Sequence, residues 1–374
     1  MKRFFAIFKK EFRQIRRDPL SLGVLIFIPA LLLILYGYAL SFDVKHIRTA
    51  VLDFDRTPDS RFLLDSLFQN PYFDRVATLT MLGETDWWLT TGQAQVALVV
   101  PRGYAAKLGR GELVHIQALV DGADANTASA TVGYLDALAD RMTRQVQAEV
   151  LAQSTRKASM PVIMPEPRVW FNPGLDSARF LIPGLIGMLL MLSAVIATSL
   201  SIVREKERET IEQMMVSPIR PEELILGKTL PYVVICLATM VMILAVGYAL
   251  FGIVIQGSFL LLALATLVFL FAALGMGILI SSITRSQQVA FQIAVIASLL
   301  PSIVLSGLIF PIQNMPAPIQ AVTLLVVPRY FIAVLRGIIL KDASFAMIWP
   351  NLAAMLALGI LFNLLAARMT RKAV

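Results

Sequence analysis

The chain has 374 residues, 57% of them hydrophobic and only 16% charged, with a mean hydropathy of +0.73. Ordinary globular domains hold about 45–50% apolar and about 25% charged residues, so a soluble protein of this size is excluded. Disorder is excluded by the same numbers, because disordered chains are poor in apolar residues.

The formal net charge is +8, from 33 Lys+Arg against 25 Asp+Glu. In a soluble protein that balance suggests nucleic acid or acidic partners. In a membrane protein it reports which segments face the cytoplasm. A single cysteine, Cys236, excludes an intramolecular disulfide and reads as a small apolar filler. His46 and His115 are too few for a histidine-rich metal site.

Residues 1–19 form an amphipathic segment. On a helical wheel Phe4, Phe8, Phe12 and Ile15 share one stripe, and Lys2, Lys9, Arg13, Arg16 and Arg17 lie opposite. This is the pattern of a helix lying in the membrane interface, its basic face toward anionic headgroups. The 21 apolar residues that follow exceed the core of a signal peptide, so an uncleaved anchor is expected.

Apolar runs without Asp, Glu, Lys or Arg occupy 20–40, 180–203, 230–255, 259–283, 289–310 and 345–367, each 21 to 26 residues long. About 20 residues cross the hydrocarbon core as a helix, so six transmembrane helices are expected. A seventh run, 319–340, carries Arg329 and Arg336, each costing about 2.5–3.5 kcal/mol in the membrane centre. Residues 311–344 are therefore expected to be an external loop with two short apolar pieces re-entering the bilayer.

Between the first two spans lie residues of ordinary soluble character, 42–176. Strand-like runs at 47–54, 73–79, 94–100 and 113–120 alternate with helical stretches, which predicts a compact α/β domain. Thr57-Pro58 is a good N-cap and first-turn proline, and a long helix is expected over 127–153. Asp121, Asp124 and Asn126 read as caps of that helix in preference to a cation site. Trp87 and Trp88 read as a buried pair in preference to a partner contact. Pro161, Pro165, Pro167 and Pro173 stiffen the return to the membrane.

Charge sets the expected orientation. With both termini inside, the cytoplasmic pieces carry 16 basic and 8 acidic residues, whereas 42–179 carries 14 basic and 16 acidic. The positive-inside rule then puts the soluble domain outside. The expected architecture is a polytopic α-helical membrane protein with six transmembrane helices. To these are added an N-terminal interfacial helix, a re-entrant external loop and an inserted α/β extracytoplasmic domain. Helices two to six fall within 177–374.

The loop 204–229 is the most informative stretch. A densely charged extension, Arg204 to Glu209, leads into a turn with Ile211, Met214 and Met215 on one face, broken by Pro218 and Pro221. An adaptable Met-rich face between charged flanks suits docking into a groove on a soluble partner, or lying in the interface. Gly227-Lys228-Thr229 lacks the earlier glycine of a phosphate-binding loop, since position 222 is Glu, so Lys228 reads as a helix-start lysine near headgroups.

The string REKERETIEQMMVSPIRPEELILGKTLPY resembles the signature of permeases of the second, export-type class of ATP-binding cassette (ABC) transporters. Lys10-Glu11-Phe12 through Arg17-Asp18-Pro19, Asp121 through Thr127, and Phe171-Asn172-Pro173 resemble the subgroup with a large external domain. Tyr330-Phe331 through Leu335-Arg336-Gly337-Ile338 looks like that family's last external loop. The likeness covers nearly the whole chain.

That resemblance implies a transport subunit, not itself an enzyme, that works as a dimer with the substrate path between halves. ATPase coupling would fall to Glu205, Glu207, Arg208, Glu209, Thr210, Ile211, Glu212, Met214, Met215 and Pro218. ATP and magnesium would be used by a separate ATPase subunit, with no cofactor bound by this chain. Gln288, Gln292, Ser298, Ser302 and Ser306, with Gln287, are either a translocation path or helix-packing groups. Tyr330 and Arg336 would belong to an external gate.

Expected partners are the ATPase, a second permease half, membrane lipids and, as a further candidate, a periplasmic adaptor, but no nucleic acid. The expected location is the bacterial inner membrane, and apolar spans suit drugs, lipids or other amphipathic cargo. Two rival functions remain. A secondary transporter normally needs intramembrane carboxylates or His, and the six runs hold none. A membrane-anchored receptor explains the soluble domain but not five further spans.

Overall fold

A computed structural model describes residues 2–39, 44, 46–110, 112–123, 125–153, 176–209 and 221–372. The chain divides into two compact units, Met1–Ser41 with Arg168–Val374, and Phe42–Pro167.

The first unit is helical. It comprises α1 (Lys2–Arg17) and α2 (Pro19–Ala39), then α7 (Ser177–Glu207), α8 (Pro221–Phe251), α9 (Phe259–Ile283) and α10 (Gln287–Val304). After these come α11 (Ala317–Thr323), α12 (Val327–Lys341) and α13 (Phe345–Lys372). Five of them, α7 to α10 and α13, are long and apolar enough to cross a membrane. In α2 the described apolar stretch is the shorter Leu25–Ala39. Helices α11 and α12 meet at 81°, the geometry of a broken span or a re-entrant loop.

Helix α7 is the axle of this unit. It packs against α2, α8, α9, α10 and α12. Of its apolar stretch 83% is buried, against 22–50% for the other four spans. A helix that is apolar all round belongs in such a position. Its glycines allow close neighbours: a Cβ on Gly187 would lie 2.9 Å from Ile332 Cγ1 on α12. On α9, a Cβ at Gly277 would lie 2.8 Å from Thr198 Cβ and 2.9 Å from the Val195 carbonyl of α7. The rings of Phe269 and Phe331 stack with centroids 4.0 Å apart and join α9 to α12 at the centre of the core.

The apolar run 289–310 does not form one helix. Pro301 cannot donate a backbone hydrogen bond, and α10 stops at Val304, followed by Gly307 at φ +80°. The chain from 305 to 310 turns there, with Leu308 N–H donating to Ser306 Oγ at 3.2 Å.

The second unit holds a four-stranded sheet of order β2-β1-β3-β4, from β1 (Ile47–Asp53), β2 (Phe73–Thr78), β3 (Val96–Val100) and β4 (Gln117–Val120). The pairs β1–β2 and β1–β3 are parallel, and β3–β4 is antiparallel. Helices α3 (Pro58–Phe68), α4 (Gly83–Thr90), α5 (Tyr104–Gly109) and α6 (Ala125–Gln153) accompany it. Strand alternation divides the core into two layers. Ile47, Val51 and Val96 pack with Leu63, Leu64 and Leu67 of α3, while Ala50, Leu52 and Val99 pack with Leu79 and Trp88. Thr57 caps α3 in a reciprocal box with Ser60.

Two expectations for this unit change. The strand expected over 113–120 is confined to Gln117–Val120. Trp87 and Trp88 are not a buried pair: they meet edge to face at 5.6 Å, and Trp87 is 52% exposed. Trp88 alone packs toward the sheet, because only one face of the eight-residue helix α4 can meet it. Asp121 accepts from the Ala123 amide at 2.9 Å and so shapes the turn before α6; Asp124 and the proline-rich segment 161–173 lie outside the described residues.

Candidate functional site

The C-terminal end of α7 carries a dense run of charge, Arg204 to Glu209, and its side chains reach several other elements. Arg204 lies 3.7 Å from Asp18 at the junction of α1 and α2, and its Nε donates to Gln287 Oε1 at 3.3 Å. Glu205 accepts from Lys10 Nζ at 2.7 Å and forms an ion pair with Lys228 of α8. Lys206 Nζ donates to the carbonyls of Ser281, Ser282 and Thr284 at the end of α9, where the helix leaves acceptors unpaired.

Glu207 completes the set. Its carboxylate accepts from the Gln287 backbone N–H at 2.6 Å and from the Gln287 side chain, at the start of α10. A carboxylate there satisfies an orphan donor and opposes the positive end of the helix dipole. Four consecutive residues therefore tie the end of α7 to α1, α8, α9 and α10. Arg208 and Glu209 close the helix at the exposed surface, Glu209 in the left-handed region at φ +57°. Thr210, Ile211, Glu212, Met214, Met215 and Pro218 lie outside the described residues.

Lys228 corrects an expectation. Its ammonium is not open to headgroups: Lys228 is 4% exposed, inside α8, with Glu205 on one side and Glu11 Oε1 at 3.5 Å on the other. The physical reason is the neighbouring Gly227: a Cβ there would lie 2.9 Å from Ile7, so its absence lets α1 close over Lys228. Sequence reasoning also missed Glu11. Helix α1 buries Ile7, Glu11 and Ile15 and leaves Phe5 and Phe12 exposed. The lone acid among apolar positions spaced four apart was the available signal. Burial pushes the Glu11 carboxyl above its ordinary range, the Lys228 ammonium pulling the other way.

The other predicted residues separate into two groups. Gln288 and Gln292 are exposed on α10. Ser298, Ser302 and Ser306 are buried, and each hydroxyl donates to the carbonyl four residues earlier. Tyr330 donates to the Leu324 carbonyl at 2.9 Å. Arg336 donates to Gly307 and Leu308 at 3.0 and 3.3 Å, and to Phe180 at 3.3 Å. It thereby fastens α12 to the turn after α10 and to the start of α7. Among the described residues, no group of three or more His, Cys, Asp or Glu could hold a metal ion.

A bundle of apolar helices around one enclosed axle, five of them long enough to cross a bilayer, defines a multi-pass helical membrane protein. Residues 20–368 match the model of the ABC-2 family transporter proteins, and the chain belongs to that family. It is 34% identical over 363 residues to the "probable multidrug ABC transporter permease" YbhS of Escherichia coli K12, covering 96% of this chain and 94% of that one. It is 29% identical to the similarly named YbhR of the same organism, with 95% of each chain covered. The inner membrane transport permease YhhJ of Escherichia coli K12 is 27% identical over 377 residues, covering 100% and 98%. The chain is thus a transport subunit, and its family implies an ATPase partner and a second permease half.

Proposed function

We propose that the chain is the membrane half of an ATP-driven exporter in a bacterial inner membrane, working as a dimer with an ATPase that holds the ATP and magnesium. In this reading α2, α7, α8, α9, α10 and α13 are the six spans, and α11–α12 is a re-entrant pair on the outer side. The α/β unit is extracytoplasmic and both termini are cytoplasmic. The relatives' names support drugs as cargo, and the uncharged spans suit amphipathic compounds generally.

The observation that carries the reading is the end of α7. A single enclosed helix emerges from the core, and its last charged residues grip four other helices just before 209–218. A push on that segment has a direct mechanical path into the bundle. The experiment is co-purification of the ATPase with full-length permease. Charge reversal at Glu209 or Glu212 should weaken the complex; unaffected assembly and transport would argue against docking there. Orientation is tested with a membrane-impermeant thiol reagent: a Cys at Ser129 should label from outside, and one at Ser286 should not.

A further inference from the structure

Glu11, Glu205 and Lys228 come from three helices and are 2%, 6% and 4% exposed. Lys228 pairs with Glu205 and lies 3.5 Å from Glu11; Lys10, half exposed, reaches Glu205 at 2.7 Å and Glu11 at 3.8 Å. The cluster thus holds two buried carboxylates, one buried ammonium and a second ammonium at its rim. Burying such ions is expensive, and apolar side chains of similar volume commonly stabilise a fold as well or better. What ions add is register, because a slip of one helical turn separates the charges.

Register is what this junction needs. Helix α1 packs chiefly on α8 and α2. Its connection to α7 runs through Lys10–Glu205, supported by the more exposed Asp18–Arg204 pair. Gly227 allows the close approach and Lys228, the next residue, ties both acids. We propose that this ion cluster is the joint that makes α1 and α8 move with the end of α7, so that Glu11 and Lys228 are positioning residues for transport. The role in transport rests on the reading that the segment after α7 meets the ATPase; the mechanical joint itself does not.

The test separates the two. Spin labels replace the exposed Arg13 on α1 and Arg208 at the end of α7 in a Cys236→Ala background, in full-length permease. The wild-type pair should give one narrow distance, unchanged when the ATPase complex is trapped with ATP and vanadate. Glu11→Gln with Glu205→Gln and Lys228→Met removes all three buried charges and leaves only the half-exposed Lys10, which water can solvate. That variant should remain monodisperse, broaden the distance, and lower permease-stimulated ATP hydrolysis about fivefold or more, the scale of ordinary coupling energies. Glu11→Gln alone, which keeps the Lys228–Glu205 pair, should broaden the distance and serves if the triple variant does not fold. A narrow distance and full stimulation in these variants would overturn the proposal. So would a wild-type distance that changes on trapping. Failure of the wild-type permease to bind an ATPase would instead sink the exporter reading, leaving the distance measurement on the free permease to decide the joint.

Discussion

Arg336 lies over the ring of Phe180, its guanidinium carbon 3.8 Å from the ring centre, while its nitrogens bond three backbone carbonyls. One side chain on α12 therefore closes the broken end of α10 and the entry of α7. Two arginines made the stretch 319–340 look costly as a span, and this one shows how the cost is offset. The guanidinium is stacked and hydrogen-bonded inside the protein.

Arg336→Lys keeps the charge but loses the planar fork and the stacked face. It should destabilise the helical unit by about 1–3 kcal/mol, and Arg336→Met by somewhat more, since three carbonyls lose a charged donor. Thermal unfolding in detergent measures both. Equal stability of the lysine variant and the wild type would show that the fork is dispensable.

Close packing of α9 on α7 gives a second expectation. Gly277→Ala places a methyl against Thr198 and the Val195 carbonyl, and the backbone contact cannot yield as a side-chain end can. The expected loss is about 1–3 kcal/mol. Gly133→Ala in α6 meets nothing within 4 Å and should be neutral or stabilising by about 0.5–1 kcal/mol. If the two variants unfold at the same temperature, the helix spacing is not set by Gly277.

Glu207→Ala removes the carboxylate at the start of α10. A lost N-terminal cap of this kind costs about 1 kcal/mol. The effect should be local, with faster hydrogen exchange at residues 287–290 and little change at the end of α9, which Lys206 holds. Unaltered exchange at 287–290 would mean that α10 starts without help from α7.

The second unit carries a pH-dependent element. Asp55 accepts from Thr57 Oγ1 at 2.7 Å, from Gly103 N–H at 2.7 Å and from Ala105 N–H at 3.0 Å, bridging the end of β1 to α5. The Thr57 hydroxyl first, then these amides, hold its carboxyl below the ordinary 3.8. A depressed native value means stability that is present above 3.8 and lost as pH falls through the native value. Acid unfolding followed by tryptophan fluorescence should therefore steepen below pH 4 in the wild type. The Asp55→Asn variant should lack that limb; an identical acid limb in both would assign it to other carboxylates.

Much of the membrane unit was legible because apolar runs of helical length have few alternatives in a chain this poor in charge. The exceptions are physical. At 289–310 hydropathy reads straight through a proline and a left-handed glycine, so the break at Val304 has no apolar signature. Lys228 was misjudged because a lysine seven residues into a helix looks like a snorkelling side chain until its partners are known, and both lie far away in sequence. Trp87 and Trp88 looked alike on paper; adjacent helical positions point about 100° apart, so only one can meet the sheet. The strand-like run at 47–54, by contrast, forms β1, whose period of two sends Ile47 and Val51 to one face and Ala50 and Leu52 to the other.

Lys10 and Glu205 are 195 positions apart, and Lys228 is later still. At ribosomal speeds of about 5–20 residues per second, Glu11 exists for roughly 10–40 s before its lysine is made. For most of that interval, until Arg204 and Glu205 are made, the amphipathic helix has no ionic tie to α7, and the second unit has been synthesised in full. The order of manufacture therefore makes the clasp a late step of biogenesis, one that completes only after the start of α8 has been made. A nascent chain truncated before residue 204 would display α1 unlatched, so protease sensitivity of its first 17 residues would mark the moment at which the bundle closes.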